Sequence, residues 1–278
     1  MKETEVKKNV RERYGKVARQ EQNCCGNKGS SPCCDGTANA REVGRDIGYS
    51  EEDMDNVPEG ANLGLGCGNP IALASLKEGE TVLDLGSGAG FDCFLAANKV
   101  GTKGRVIGVD MTPDMVDKAR DNARIGGYSN VEFRLGEIEN LPAADGIADV
   151  IISNCVINLA PDKNRVFREA YRILKPGGRV MVSDIVLSKE LPEDIKNSIE
   201  AYVGCVAGAS LENDYLQAIK LAGFSDVRIA GESVFDLKDI ISSPEAQDIA
   251  NSLDISAEKA AELGGSIKSI KVSAVKPE

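Results

Sequence analysis

The chain of 278 residues has no histidine and no tryptophan, and aromatic residues make up only 4% of it. Without histidine it lacks the side chain that most often acts as acid or base near neutral pH, so general-base chemistry suits it poorly. Positive charge is also scarce. The 33 Lys and Arg are outnumbered by 44 Asp and Glu, giving a formal charge of −11, which argues against the basic face that nucleic-acid binding requires. No run of eighteen apolar residues occurs, so no segment reads as membrane-spanning. The opening stretch MKETEVKKNVRERYGKVARQ is charged throughout, without the apolar core of a signal peptide. A cytoplasmic protein is the expectation, and in that compartment cysteines stay reduced.

Against these absences stand eight cysteines. Reduced cysteines in a cytoplasmic chain are more often metal-binding or catalytic than structural. Thiolates without imidazoles suit a soft, thiophilic target. Four of them, Cys24, Cys25, Cys33 and Cys34, fall in the Gly/Ser/Asn-rich stretch 23–39, which reads as a loop. The others are Cys67, Cys93, Cys155 and Cys205.

Hydrophobic content of 42% and charged content of 28% are ordinary for a globular chain with one substantial α/β domain plus extensions. Residues 1–22 read as a charged helix, and 40–48 as a short one before a boundary near Pro58. Strands are expected at 81–85, 105–109, 131–135, 148–154 and 179–185, and helices at 91–100, 113–125 and 164–174. That alternation means βαβ units and a doubly wound, mostly parallel sheet. Beyond it the pattern predicts helix from 193 to 206 and from 211 to 222, then strands at 226–230 and 269–274. Three segments follow: an N-terminal helical and Cys-rich extension (1–60), a cofactor-binding domain (61–190) and a C-terminal α+β region (191–278).

The sequence Asp84-Leu85-Gly86-Ser87-Gly88-Ala89-Gly90 stands where a strand meets a helix. Glycines there permit a tight turn and close approach of backbone to ligand, and the helix N-terminus adds partial positive charge. The spacing is G-x-G-x-G, not the dinucleotide G-x-G-x-x-G. The next strand ends in Asp110, a position suited to ribose hydroxyls. Together they favour a nucleoside cofactor without a pyrophosphate, S-adenosylmethionine, with Asp84 at its amino-acid end.

At this point the chain resembles the class I S-adenosylmethionine-dependent methyltransferases, a Rossmann-like fold, over residues 61–190. VLDLGSGAG, VIGVDM, RLGEIENLP, VIISNCVINL and LKPGGRV stand in the family's order. The resemblance implies that Gly86, Gly88 and Gly90 form the cofactor loop and that Met111 packs on the adenosine. It also implies that Ile138 and Glu139 flank the adenine and that Asn154 lies near the methionine moiety. LGCGNP, GFDC, SNCVINL and GCVAGA narrow the likeness to arsenite methyltransferases, over residues 10–230.

That likeness implies that Cys67, Cys155 and Cys205 bind trivalent arsenic delivered as a thiol conjugate. Three thiolates hold arsenic as a pyramid whose lone pair faces the methyl donor, so catalysis is largely placement. The residues agree: Cys155 follows the carboxyl end of a buried strand, the edge where open α/β sheets bind ligands. Cys93, at the start of a helix, reads as core packing. The family also carries an N-terminal cysteine that pairs with the counterpart of Cys67, and Cys33 or Cys34 are the candidates here. A thiol reductant, glutathione or thioredoxin, is then a co-substrate. Adjacent cysteines fit the usual C-x₂-C zinc geometry badly, although four thiols are enough for such a site. Leu65 departs from the family, whose eukaryotic members have an aromatic residue there. Two rivals stay open. One is a methyltransferase of an organic molecule of quinone or sterol type, which leaves the thiols idle. The other is a non-catalytic thiol protein that sequesters metalloids.

Overall fold

Val82, Val106, Val150, Ile152 and Met181 pack into one apolar cluster, while their neighbours Leu83, Ile107, Ile151, Val180 and Val182 pack into another. Side chains alternate across a strand, so the two clusters are the two faces of one sheet, both covered, as parallel strands require. The structure is a computed structural model and describes residues 3–20, 36–192, 207–234 and 265–278.

The strands are β1 (Thr81–Leu85), β2 (Arg105–Asp110), β3 (Val131–Leu135), β4 (Ala148–Asn154), β5 (Leu174–Leu187), β6 (Ser225–Val234) and β7 (Ile267–Val275). Their order in the sheet is β3-β2-β1-β4-β5-β7-β6. The pairings from β3 through β5 are parallel, and β7 runs antiparallel to both β5 and β6. The expected doubly wound sheet is therefore present with seven strands. β5 extends beyond the expected 179–185 because Leu174 already pairs with Ala148, across a register shift.

Helices α1 (Glu3–Gln20), α2 (Gly36–Asp46), α3 (Glu51–Asp55) and α4 (Pro70–Ala74) precede β1. α5 (Phe91–Val100), α6 (Pro113–Ile125), α7 (Lys163–Ile173) and α8 (Glu212–Leu221) lie between or after the strands. α5 and α6 cover one face of the sheet through Phe94, Val100, Val116 and Ala119. α7 and α8 cover the other through Val166, Phe167, Ala170, Ile173 and Ile219. The spacing of the α7 residues is that of a single apolar stripe, and Asp162 caps the helix by accepting from Arg165 N at 2.9 Å. Phe94 and Phe167, fully buried, each contribute about 1.5–3 kcal/mol by that burial.

Three differences from the expected elements stand before β1. α2 starts at Gly36, inside the stretch read as loop, since the ends of a helix are what residue pattern marks least well. The acidic stretch after Ser50 is α3, built on a capping box between Ser50 and Asp53. α4 was not expected at all. The helix expected at 193–206 lies outside the described residues, as does the stretch 21–35.

Candidate active site

β1 and β4 lie side by side where the strand order reverses, the place where open α/β sheets receive ligands. Leu85 is in register with Ser153, so the loops that leave the two strands meet. They touch closely only because residue 86 is glycine. Its φ is 71°, and a Cβ there would sit 2.3 Å from Val156 Cγ2. Between the loops opens a cavity of about 370 Å³, a size typical of small-molecule sites.

Asp84, Gly86, Gly88, Asp110, Met111, Ile138, Glu139 and Asn154, all expected at a cofactor, line this cavity. Gly90 does not. It precedes α5, and Phe133 and Phe94 occupy the space a Cβ would need, so this glycine serves helix–sheet packing. Asp110 accepts from Gly88 N at 3.0 Å and Thr112 N at 2.8 Å, which ties the glycine loop to the end of β2. Leu65, at the position that departs from the family pattern, also faces the cavity.

Asp92 also lines the cavity, although nothing in the sequence reading singled it out. Its carboxylate accepts from Tyr49 OH at 2.6 Å. Burial raises Asp92 to about 6, against the pull of its bonds from Tyr49 and Asn154. Burial likewise pushes Asp84 well above the ordinary carboxylate range, and the nearby Asp92 and Asp110 add to that. Asp110 is raised too, chiefly by burial. Three such carboxylates at one end of a cavity make an environment that a bound cation relieves. The signal for Asp92 was there: an acid in second position of FDCFLAANKV, directly before the run Cys93 to Ala97, which is buried throughout.

The outer side of the cavity is closed by α1, whose Lys7, Val10, Arg13 and Tyr14 face it. Lys7 Nζ lies 2.8 Å from Glu3, 2.9 Å from Glu137 and 3.1 Å from Glu139. Burial works against the Lys7 charge, but these hydrogen bonds hold its ammonium above the ordinary lysine range. Arg19 meets Asp114 of α6 at 2.7 Å and fixes the far end of the helix. The valines at 6 and 10, buried against the cluster that contains Cys67, were the sequence signal that this charged helix has a packed face.

The thiol end is assembled from distant segments. Asn154 Oδ1 accepts from Cys67 N at 3.1 Å, and Asn154 Nδ2 donates to Gly68 O at 2.7 Å. Ser269 Oγ on β7 donates to Cys67 O at 2.7 Å. A Cβ on Gly66 would lie 2.8 Å from the Asn154 amide, so the loop has no slack. Cys155 turns the chain off β4 at φ 57°, and its N–H donates to Ser183 O at 2.8 Å. A left-handed conformation at a residue with a Cβ costs about 1–2 kcal/mol, the kind of strain that marks functional turns.

The result brings Cys67 Sγ, Cys155 Sγ and a carboxylate oxygen of Asp184 within 4.8 Å of one another. Asp184 is fully buried on β5. It accepts from Asn158 at 2.8 Å, from its neighbour's N–H at 2.9 Å and from Tyr215 OH at 3.0 Å. Burial raises it to about 7, against those bonds. The polar pair Ser183-Asp184 inside an apolar strand could have pointed to it. Cys93 is apart from this group, buried in the core with its thiol 3.2 Å from Asp84. Cys205 and the N-terminal Cys24, Cys25, Cys33 and Cys34 lie outside the described residues.

A family model described as a methyltransferase domain matches residues 76–223. The crystal structure of an arsenic(III) S-adenosylmethionine methyltransferase from Chlamydomonas reinhardtii aligns with a TM-score of 0.63 at 35% identity. The match covers 86% of this chain and 74% of that one. The chain belongs to the arsenite methyltransferase family. The arsenite methyltransferase of Halobacterium salinarum is 52% identical over 231 residues, which make up 81% of this chain and 59% of that protein. For the arsenite methyltransferase of Aquipseudomonas alcaligenes the identity is 42%, over 66% of this chain and 54% of the relative. This arsenite methyltransferase family member therefore spans somewhat over half the length of these curated relatives. Among its described residues no helix is long and apolar enough to cross a membrane.

Proposed function

We propose that the protein transfers methyl groups from S-adenosylmethionine to trivalent arsenic held by Cys67, Cys155 and Cys205. The observation that carries this reading is that Cys67 and Cys155 converge in the same cavity as the glycine loop and its carboxylates. The lining suits the cofactor chemically. Asp84 and Asp92 offer an anionic end for its charged methionine portion, Asp110 suits the ribose, and Met111 and Ile138 offer apolar contact to the base. When bound, S-adenosylmethionine supplies an electrophilic methyl group on a positively charged sulfur.

The chain's own residues place the acceptor. Each cysteine that bonds to arsenic displaces one carrier thiol, which leaves with the cysteine's proton. Arsenic held through sulfur keeps its lone pair, and the cavity fixes where that pair points. No proton leaves arsenic, so the absence of histidine is no handicap. Methylation spends the lone pair and leaves arsenic pentavalent. Two electrons from a dithiol return it to the trivalent state and leave a disulfide. In this reading Cys67 and one of the N-terminal cysteines, Cys33 or Cys34, supply those electrons, and glutathione or thioredoxin restores the pair. Residues 61–190 bind the cofactor, 1–60 supply the outer wall and the relay thiols, and 191–278 bring Cys205. A cytoplasmic setting keeps the thiols reduced, and arsenic detoxification is the purpose such chemistry serves.

The test incubates the reduced protein with arsenite, glutathione and labelled S-adenosylmethionine and separates the arsenic species. Methylated arsenic should form with the wild-type chain, and Cys155→Ser should lower its rate about 10²-fold or more through lost placement. If Cys155→Ser keeps the wild-type rate, or no methylated arsenic forms, the reading is wrong.

A further inference from the structure

The two described thiols of the site share one support, and that support is overcommitted. Asn154 precedes Cys155 in the chain and holds Cys67 through its Oδ1. Its amide nitrogen carries two hydrogens but faces three acceptors: Gly68 O at 2.7 Å, Tyr49 OH at 3.0 Å and Asp92 Oδ2 at 3.3 Å. The third acceptor belongs to a carboxylate that lines the cofactor cavity. Tyr49 closes the ring by donating to the other oxygen of Asp92. No step of the methyl transfer derived above uses Tyr49, and Asp92 entered it only as negative charge.

We infer that Asp92 is a positioning residue through which occupancy of the cofactor cavity sets the Cys67–Cys155 pair. The inference rests on the arsenite methyltransferase reading and deepens it. Asp92 competes with Gly68 and Tyr49 for the two hydrogens of the Asn154 amide. A cationic group placed against Asp92 takes up the carboxylate's charge and releases the amide to Gly68 O and Tyr49. The loop that carries Cys67 is then held at Cys67 N and at Gly68 O by one side chain, with Ser269 fixing the carbonyl between them. Close contacts on both sides of Cys67 transmit the change instead of absorbing it, since Cβ atoms at Gly66 and Gly68 would meet Asn154 and Ser183 at 2.8 and 2.0 Å. Cofactor occupancy therefore tightens arsenite binding. By linkage, arsenite tightens cofactor binding by the same factor.

The experiment titrates arsenite into the reduced full chain by calorimetry, alone and saturated with sinefungin, an analogue with an amine in place of the sulfonium and no methyl group to transfer. The wild-type chain should bind arsenite about tenfold more tightly with sinefungin bound, a typical coupling between sites. Asp92→Asn, saturated with sinefungin at whatever concentration it needs, should reduce that factor to below about twofold. Tyr49→Phe removes the competing hydroxyl and keeps the carboxylate. It should also shrink the factor, and it decides the matter if Asp92→Asn does not fold. The coupling factor reports on communication and is not moved by a merely structural loss, which lowers both affinities together. Equal arsenite affinity with and without sinefungin in the wild-type chain overturns the inference, as does an undiminished factor in the folded variants. Failure of the wild-type chain to bind arsenite in either state is a separate outcome. It overturns the arsenite reading, and the inference with it.

Discussion

The two ends of the cavity are built in opposite ways. The end that holds the glycine loop comes from neighbouring chain: Asp84, Gly86 and Gly88 follow one another at the end of β1, and Asp110 closes the next strand. The thiol end is drawn from residues 66–68, 154–155, 183–184 and 269, and is held by side-chain bonds between segments up to about two hundred positions apart. A loop at a strand–helix junction carries its own geometry, through glycines and a helix N-terminus. A pair of thiols from separate segments has geometry only once the sheet has formed. The first end is thus tolerant of changes elsewhere, and the second depends on every element that delivers a piece of it.

Gly86→Ala should break the distinction most strongly, because residue 86 is where the two ends touch. The added methyl would meet Val156, next to Cys155, at a backbone conformation that disfavours any Cβ. Misplacement of that order costs about 10²-fold, and affinities for S-adenosylmethionine and for arsenite should both fall in separate titrations. Loss of only one would mean the ends are independent.

A pH titration should act on the acidic end. Asp92 stands at about 6 in the fold against an ordinary 3.8. Between those values the folded chain binds more protons than the unfolded one, so this group's contribution to ligand-free stability falls as pH rises through the window. Binding of a cation runs the other way, because it favours the ionised form. Affinity for S-adenosylmethionine should therefore drop by up to about tenfold per unit as pH falls below about 6. Asp92→Asn should flatten both trends, as read by thermal melts and by calorimetry.

The smallest effect isolates the thiol end. Cys155→Gly relieves the left-handed backbone, so its melting midpoint should exceed that of Cys155→Ala by the equivalent of about 1 kcal/mol, although both variants lose the thiol. A glycine variant no more stable than the alanine variant would show that Cys155 is unstrained.

Every strand core of the sheet was legible because apolar runs of strand length alternated with helical stripes of ten or so residues. The place of the glycine loop, between β1 and α5, was legible for the same local reason. Gly90 shows the limit: its place in the motif suggested ligand contact, while its neighbours Phe94 and Phe133 make it a packing residue. Asp92 and Asp184 were not singled out, because a single acid inside an apolar element looks alike whether it faces a cavity or an ion pair. The wall made by α1 was not legible either. Its valines announce a packed face but not the partner, which is the cluster around Cys67.

The sequence by itself determined the chemistry available: many thiols, no imidazole, a glycine loop and an acid at the end of the following strand, with the family that such motifs mark. These are properties of residue type and short spacing, which survive in any fold that accommodates them. Tertiary structure alone decided which thiols meet, that an amide between them is shared with a carboxylate lining the cavity, and that a charged helix closes the site. Those facts depend on the reversal of strand order at β1 and β4, which brings together residues that no local rule relates.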